Sequence, residues 1–211
     1  LLNVNYIIDL EIINDVMLWV ATDQGILKID TWNDYDAENI IRFSESDSLP
    51  PTRQISNNLV HDILPIEDKI WVATGSGMVI IDTTTNSVTD FNSDLIARVI
   101  SQDSSGNIWL GTEMDGLFKI PYELLEDIEK GKDFELEGHI FDKAFTSGIS
   151  SSQITCITED KNGVIWVGTN GGLNKYVSEK DNFEHYFVQN GLPSNYITGV
   201  VVDKTNGLWI S

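Results

Sequence analysis

An all-β fold, a β-propeller of four-stranded antiparallel blades, is predicted by three features of this 211-residue sequence. Five of the six tryptophans sit in one recurring phrase. The copies read Trp19-Val-Ala-Thr-Asp-Gln-Gly25, Trp71-Val-Ala-Thr-Gly-Ser-Gly77, Trp109-Leu-Gly-Thr-Glu-Met-Asp-Gly116, Trp166-Val-Gly-Thr-Asn-Gly-Gly172 and Trp209-Ile-Ser211. Intervals of 52, 38, 57 and 43 residues separate the tryptophans, the spacing of a repeated unit that buries its apolar face against its neighbours. Each phrase also follows an alternating apolar run across a turn and leads through glycine into a further strand-like run.

The elements follow in order. The first copy has strands expected over 6–12, 17–22, 26–30 and 40–43, and the second over 58–65, 69–74, 78–82 and 87–91. A third has them over 95–103, 107–112 and 117–120. Pro121, the shared face of Leu124, Leu125 and Ile128, and Gly131 as cap then predict a short surface helix. The fourth copy is the cleanest: strands over 152–159, 164–169, 173–176 and 183–187, with Asn162-Gly163 expected as a two-residue hairpin turn. A fifth starts over 196–203 and ends in its second strand. One propeller piece over 1–211 results, with blades at 5–43, 57–91, 95–143 (helical insertion 121–131), 152–187 and 195–211, the last incomplete. A ring of six to eight blades needs more chain than this, so the sequence is expected to be a partial propeller of about four to five blades, part of a longer protein.

Within each second strand the tryptophan and the residue two later (Ala21, Ala73, Gly111, Gly168) share a face. A large ring beside a small residue suits blade-to-blade packing in which each tryptophan fills the space left by a neighbour's Ala or Gly. The threonine that follows points the other way and favours strand geometry. Asp103, Asp160 and Asp203 stand six residues before a tryptophan and suit turns, where a carboxylate accepts backbone N–H bonds. Residues 44–53 form a longer polar loop with Pro50-Pro51, and Trp32 and Tyr35 fall outside the repeat register and are available for contacts.

Composition bounds the function. Thirteen basic against thirty-three acidic side chains give a formal charge of −20, which repels phosphate backbones and excludes nucleic acid as a partner. A lone Cys156, in an alternating run, is expected to be a small buried hydrophobe and excludes an intrachain disulfide. No apolar run reaches the length of a membrane span. Chemistry is sparse: no nucleophile elbow, phosphate loop, zinc motif or calcium loop occurs. His61 and His185 lie in alternating segments, His139 in a polar stretch, and none has a metal partner at ligand spacing. Glu126, Asp127 and Glu129 form a solvated helix face. The expectation is no catalytic residue, no metal and no cofactor.

The run Asn190-Gly-Leu-Pro-Ser-Asn-Tyr-Ile-Thr-Gly-Val-Val-Val-Asp203, leading into Gly207-Leu-Trp-Ile-Ser211, resembles the repeat of the two-component regulator propeller family. Asp160-Lys-Asn-Gly-Val-Ile-Trp-Val-Gly-Thr-Asn-Gly-Gly-Leu173 and Asp103-Ser-Ser-Gly-Asn-Ile-Trp-Leu-Gly-Thr112 are similar to it as well. The first two copies depart from it, lacking the Asp and carrying Ala before Thr. This resemblance implies the extracytoplasmic, periplasmic sensor region of a bacterial hybrid two-component histidine kinase. It implies an oligosaccharide ligand, and as partners the remaining blades and second propeller of the parent chain and a second receptor copy in a homodimer. The alternatives are a structural or interaction propeller and a propeller glycosidase or lyase.

No ligand-contact motif comes with the resemblance, so candidate binding residues come from topology. Antiparallel alternation puts the loops entering each first strand and the loops joining second to third strands at one end of every blade. Entering loops supply Asn57, Asn58, Ser152, Gln153, Ser194 and Asn195. Joining loops supply Asp23, Gln24, Glu113, Asp115 and Asn170. They are polar and differ between copies, as recognition of an asymmetric neutral sugar requires.

Overall fold

A computed structural model of the chain describes residues 6–32, 39–92, 94–130, 140–141 and 148–211. Tyr35, Gly131, His139 and the expected blade limits at 5 and 143 lie outside the described residues. The first sheet holds β1 (Ile7–Ile13), β2 (Met17–Thr22), β3 (Gly25–Asp30) and β4 (Ile40–Phe43) in that spatial order. The second repeats it with β5 (Val60–Ile66), β6 (Lys69–Thr74), β7 (Gly77–Asp82) and β8 (Val88–Asn92). In the third, β9 (Ala97–Gln102), β10 (Ile108–Thr112) and β11 (Leu117–Ile120) are followed by the helix α1 (Tyr122–Glu129) before β12 (Ile140–Phe141) completes the sheet. The fourth comprises β13 (Ile154–Glu159), β14 (Ile165–Thr169), β15 (Gly172–Val177) and β16 (Asn182–Tyr186), and β17 (Val200–Val202) pairs with β18 (Leu208–Ile210). Among the described residues this is an all-β, partial propeller of four four-stranded sheets and a two-stranded one. The chain divides into two compact units close to Ala97/Arg98, the first holding sheets one and two.

The hairpin at 160–164 differs from expectation. Only Gly163 takes positive φ (77°), and its N–H closes on the Asp160 carbonyl at 2.9 Å. Asp160 Oδ1 accepts the N–H groups of Asn162 (2.8 Å) and Val164 (3.1 Å). The aspartate therefore organises the turn, and Asn162 keeps ordinary backbone geometry.

Sheet packing follows one rule that corrects the large-beside-small expectation. In the first unit Trp19, Ala21, Ile26 and Phe43 pack against Val60, Ile63, Val72 and Ile81 of the second sheet. The tryptophan face thus meets branched aliphatics on the next sheet's opposite face. In the second unit Trp109 and Leu117 meet Ile154, Ile165, Val167 and Phe183, while Trp166 and Leu173 meet Val200, Leu208 and Ile210. The small residue makes room for the isoleucine that enters the next sheet. A Cβ on Gly111 would lie 2.5 Å from Ile154 Cγ2, and one on Gly168 would lie 2.8 Å from Ile197 Cγ2.

Trp19, Trp71 and Trp109 are at most 1% exposed. Trp166 is only half-buried, because the sheet it faces has two strands, and Trp32 is 79% exposed. Opposite three of the tryptophans, the third strand places a lysine: Lys28 lies 5.5 Å from the Trp19 ring centroid, Lys119 5.2 Å from Trp109 and Lys175 5.9 Å from Trp166. Each ammonium lies over a π-face. The helix buries Leu125 and Ile128 as expected, whereas Leu124 is 39% exposed.

Candidate functional site

The loop end of each four-stranded sheet is built by the threonine that closes the second strand. Thr22, Thr74, Thr112 and Thr169 are all buried. Their hydroxyls donate to the carbonyls of Gly25, Gly77, Gly116 and Gly172 at 2.7, 3.0, 2.8 and 2.9 Å. The same oxygens accept from the N–H groups of Gln24, Ser76, Asp115 and Gly171. One side chain thus fixes both legs of the turn, a duty beyond strand propensity. Three of the turn glycines then donate N–H to the chain entering the following strand: Gly25 to Asn58 (3.0 Å), Gly77 to Leu95 (2.8 Å) and Gly116 to Ser152 (3.0 Å). These bonds bring a joining loop and the next entering loop side by side.

In the first unit, four predicted residues lie at this end. Asp23 Oδ1 accepts the Tyr6 N–H at 3.3 Å. Gln24 is held through its backbone, its carbonyl accepting from Arg42 Nη2 at 3.2 Å. Asn57 spans its loop, donating to Ser76 Oγ at 2.9 Å and accepting the Leu59 N–H at 2.8 Å. Asn58 and Glu45 exchange bonds in both directions, with Asn58 N–H to Glu45 Oε1 at 3.1 Å and Glu45 N–H to Asn58 Oδ1 at 2.8 Å. Beside them, Asp90 accepts from the N–H and hydroxyl of Ser56. Burial pushes its carboxyl up despite these two bonds. Asn57 and Asn58 thus both brace the loop they stand in.

In the second unit, three predicted residues come together. Gln153 Nε2 donates to Glu113 Oε1 at 2.7 Å, and Asn170 Nδ2 donates to Gln153 Oε1 at 2.5 Å. Ser151 Oγ donates to Asn170 Oδ1 at 2.5 Å. At the other end Arg98 Nε sits 2.8 Å from Glu113 Oε2, an ion pair close in distance but poorly aligned for a hydrogen bond. The result is a continuous polar chain, Arg98–Glu113–Gln153–Asn170–Ser151, in which Asn170 is exposed. Asp115 and Met114 project beside it, both exposed. Asn195 is not part of this chain; its Oδ1 accepts the Val188 N–H at 2.8 Å and braces the loop that leads to β17. Ser194 and Ser152 likewise act in the loops, Ser194 Oγ accepting the Tyr196 N–H at 2.9 Å.

Arg98 and Ser151 escaped sequence reasoning, since neither occupies a joining loop or an expected first-strand entry. A cavity of about 230 Å³ in the first unit, lined by Met17, Lys28, Asp30, Asn39 and Ile41, was also not foreseen. Of its polar lining residues, Lys28 donates to Thr83 O at 2.6 Å and Asn86 Oδ1 at 2.8 Å, and burial lowers its ammonium pKa. Among the described residues no cluster of three or more His, Cys, Asp or Glu side chains is placed to hold a metal ion. His61 Nδ1 lies 2.6 Å from the Ala97 carbonyl and His185 Nε2 3.0 Å from that of Gly148. Cys156 is half-buried, with its thiol pushed up by burial. No helix among the described residues is long and apolar enough to cross a membrane.

Two stretches of the chain, residues 90–114 and 148–171, match the two component regulator propeller family. The fold is similar to the extracellular domain of BT4673 from B. thetaiotaomicron, assigned to a hybrid two component system. Identity is 18% and the TM-score 0.79, over 98% of this chain and 28% of that one. It is also similar to the corresponding domain of BT3049 from the same organism (20% identity, TM-score 0.75, 99% of this chain and 28% of that one). Virginiamycin B lyase from Staphylococcus aureus shares the fold at 14% identity and TM-score 0.60, over 95% of this chain and 61% of that one. The chain thus spans less than a third of the two extracellular domains. No curated protein matches the sequence.

Proposed function

We propose that this chain, two stretches of which match the two component regulator propeller family, is an extracytoplasmic ligand-sensing part of a two-component receptor. Its ligand is a neutral oligosaccharide, and the parent protein passes the binding event to a cytoplasmic histidine kinase. The remaining blades, a second propeller and a second receptor copy are its proposed partners. The observation that carries the reading is the polar chain Arg98–Glu113–Gln153–Asn170. It sets planar amides and a compensated charge pair on loops held by buried threonines. Amides so fixed present donors and acceptors in register to ligand hydroxyls, and loops on a rigid scaffold are where binding groups concentrate. The likeness to extracellular domains of two-component systems supports a sensing role.

The test pairs calorimetry on the chain with a transcriptional reporter in the intact receptor, using a panel of soluble neutral oligosaccharides. Gln153→Ala with Asn170→Ala is expected to weaken binding about tenfold or more, the equivalent of about 1.4 kcal/mol, and to blunt the response in proportion. Unchanged affinity and unchanged response would remove this loop end as the site. Turnover of the bound sugar would replace the sensor with an enzyme.

A further inference from the structure

The polar chain in the second unit has a direction, and its charged end sets it. A carboxylate carries no hydrogen, so Glu113 only accepts. Gln153 must therefore turn its NH2 group to Glu113 Oε1, at 2.7 Å, which leaves Gln153 Oε1 facing Asn170. Asn170 meets that oxygen with Nδ2 and so presents Oδ1 to Ser151, whose hydroxyl donates to it. Reversing either amide alone would bring two acceptor oxygens face to face. The backbone holds the participants independently of this order. Asn170 N–H donates to Gln153 O at 3.3 Å, Gln153 N–H to Ser151 Oγ at 3.3 Å and Gly116 N–H to Ser152 O at 3.0 Å. Turning a side-chain amide over in place breaks none of these bonds.

We propose that Glu113 is the positioning residue of this loop end, its carboxylate fixing the orientation of both amides and, through them, making Ser151 Oγ an acceptor for a ligand hydroxyl. The Ser151 hydrogen is committed to Asn170 and one lone pair to the Gln153 N–H. What the oxygen offers a ligand is therefore its other lone pair. It takes a hydrogen from a sugar hydroxyl and has none to give to an ether or carboxylate oxygen. In the reverse order Ser151 would accept from Asn170, and its hydrogen would be released to donate. Arg98 makes the reversal reachable by one isosteric change. Its guanidinium lies 2.8 Å from Glu113 Oε2 and only donates. In Glu113→Gln it takes the new side chain's oxygen and leaves the NH2 group facing Gln153, so both amides turn over. The ligand role of Ser151 rests on the reading of this loop end as the sugar site; the order of the amides does not.

Nuclear magnetic resonance on the full, isotopically labelled chain tests the order through couplings across the side-chain hydrogen bond. The wild type is expected to couple Asn170 Nδ2 to the side-chain carbonyl carbon of Gln153. Glu113→Gln is expected to lose that coupling and gain the one from Gln153 Nε2 to the side-chain carbonyl carbon of Asn170. Arg98→Met leaves the carboxylate in place and is expected to keep the wild-type direction. Calorimetry with the panel of neutral oligosaccharides is expected to show Glu113→Gln binding about tenfold or more weakly than wild type. A wild type with the opposite coupling or with neither, a Glu113→Gln variant that keeps the wild-type coupling, or a reversal in Arg98→Met would overturn the proposal. Reversed couplings with unchanged affinity would overturn the ligand role of Ser151. A panel in which no sugar binds the wild type would overturn the sugar-sensing function and that ligand role together, while the couplings still decide whether Glu113 orders the amides.

Discussion

The indole Nε1–H of Trp166 donates to Asp160 Oδ2 at 3.1 Å, across the hairpin that the other oxygen of the same carboxylate organises. Trp109 with Asp103 (2.9 Å) and Trp209 with Asp203 (3.0 Å) repeat it. In the first two sheets Ile13 and Pro65 stand at the aspartate position, and the buried indole N–H groups of Trp19 and Trp71 have no hydrogen-bond partner among the described residues. A buried donor left unmade costs about 1–3 kcal/mol. Trp109→Phe breaks a made bond, whereas Trp71→Phe removes an unmade donor, and both rings are buried alike. Urea unfolding is therefore expected to show Trp109→Phe as the more destabilising by about 1–3 kcal/mol. Equal losses would show that the indole–carboxylate bond contributes nothing net.

The threonine that pins each loop end gives a second expectation. Thr112 Oγ1 donates to Gly116 O at 2.8 Å and accepts from the Asp115 N–H at 2.9 Å, inside a buried site. Valine preserves the shape and strands both partners, so Thr112→Val is expected to cost about 2 kcal/mol. Thr112→Ser keeps the hydroxyl and is expected to cost clearly less. Denaturant midpoints for the pair decide it: a serine variant as unstable as the valine one would assign the effect to packing of the methyl group.

A third expectation concerns the small residue beside the tryptophan. A Cβ at Gly168 would lie 2.4 Å from Cys156 Sγ and 2.8 Å from Ile197 Cγ2. Gly168→Ala is therefore expected to destabilise by about 1–3 kcal/mol through overpacking. Adding Cys156→Ala removes the nearer clash and is expected to recover part of the loss, a coupling seen as non-additivity of the two changes. Strict additivity in thermal unfolding would mean that the backbone, and not the thiol, absorbs the methyl group.

What was legible in the sequence was periodic. The β2 and β6 bounds, at Met17–Thr22 and Lys69–Thr74, coincide with expectation because each lies between a turn and a glycine that break the alternation. The first strands begin later than expected, at Val60 rather than 58 and Val200 rather than 196, because the polar residues ahead of them hydrogen-bond within their loops. Partnership across sheets was not legible. Alternation told which residues share the tryptophan face, but only three-dimensional packing shows that the face meets Ile63 and Val72 rather than Ala73. The loop end was predicted as a set, and Glu113, Gln153 and Asn170 do meet. Arg98 lies within a strand and Ser151 one residue beyond the expected entry, so no local signal tied them to the others.

The last expectation is a pH dependence. The Lys69 ammonium, at 2.8 Å, and the N–H of Thr85 hold the Asp82 carboxyl well below its ordinary value of 3.8. Asp203 is held low by Thr205, Gly207 and Trp209. At Asp160, burial pushes upward but is outweighed by Trp166, the N–H groups of Asn162 and Val164, and the Lys175 charge. A carboxylate whose folded value lies below its unfolded value binds fewer protons when folded. Its contribution is therefore present at neutral pH and lost as pH falls from the ordinary carboxylate range toward the lower folded value. Asp90, raised by burial, acts in the opposite sense, its penalty relieved as pH falls through its higher value. The wild-type chain is thus expected to lose stability below about pH 4. Asp82→Asn removes one of the lowered groups. It is expected to be less stable than wild type at pH 7 and to converge on it as the medium is acidified below the ordinary carboxylate range. Denaturant unfolding at a series of pH values checks this directly, and a difference between the two proteins that stays constant down to pH 3 would remove Asp82 from the acid response.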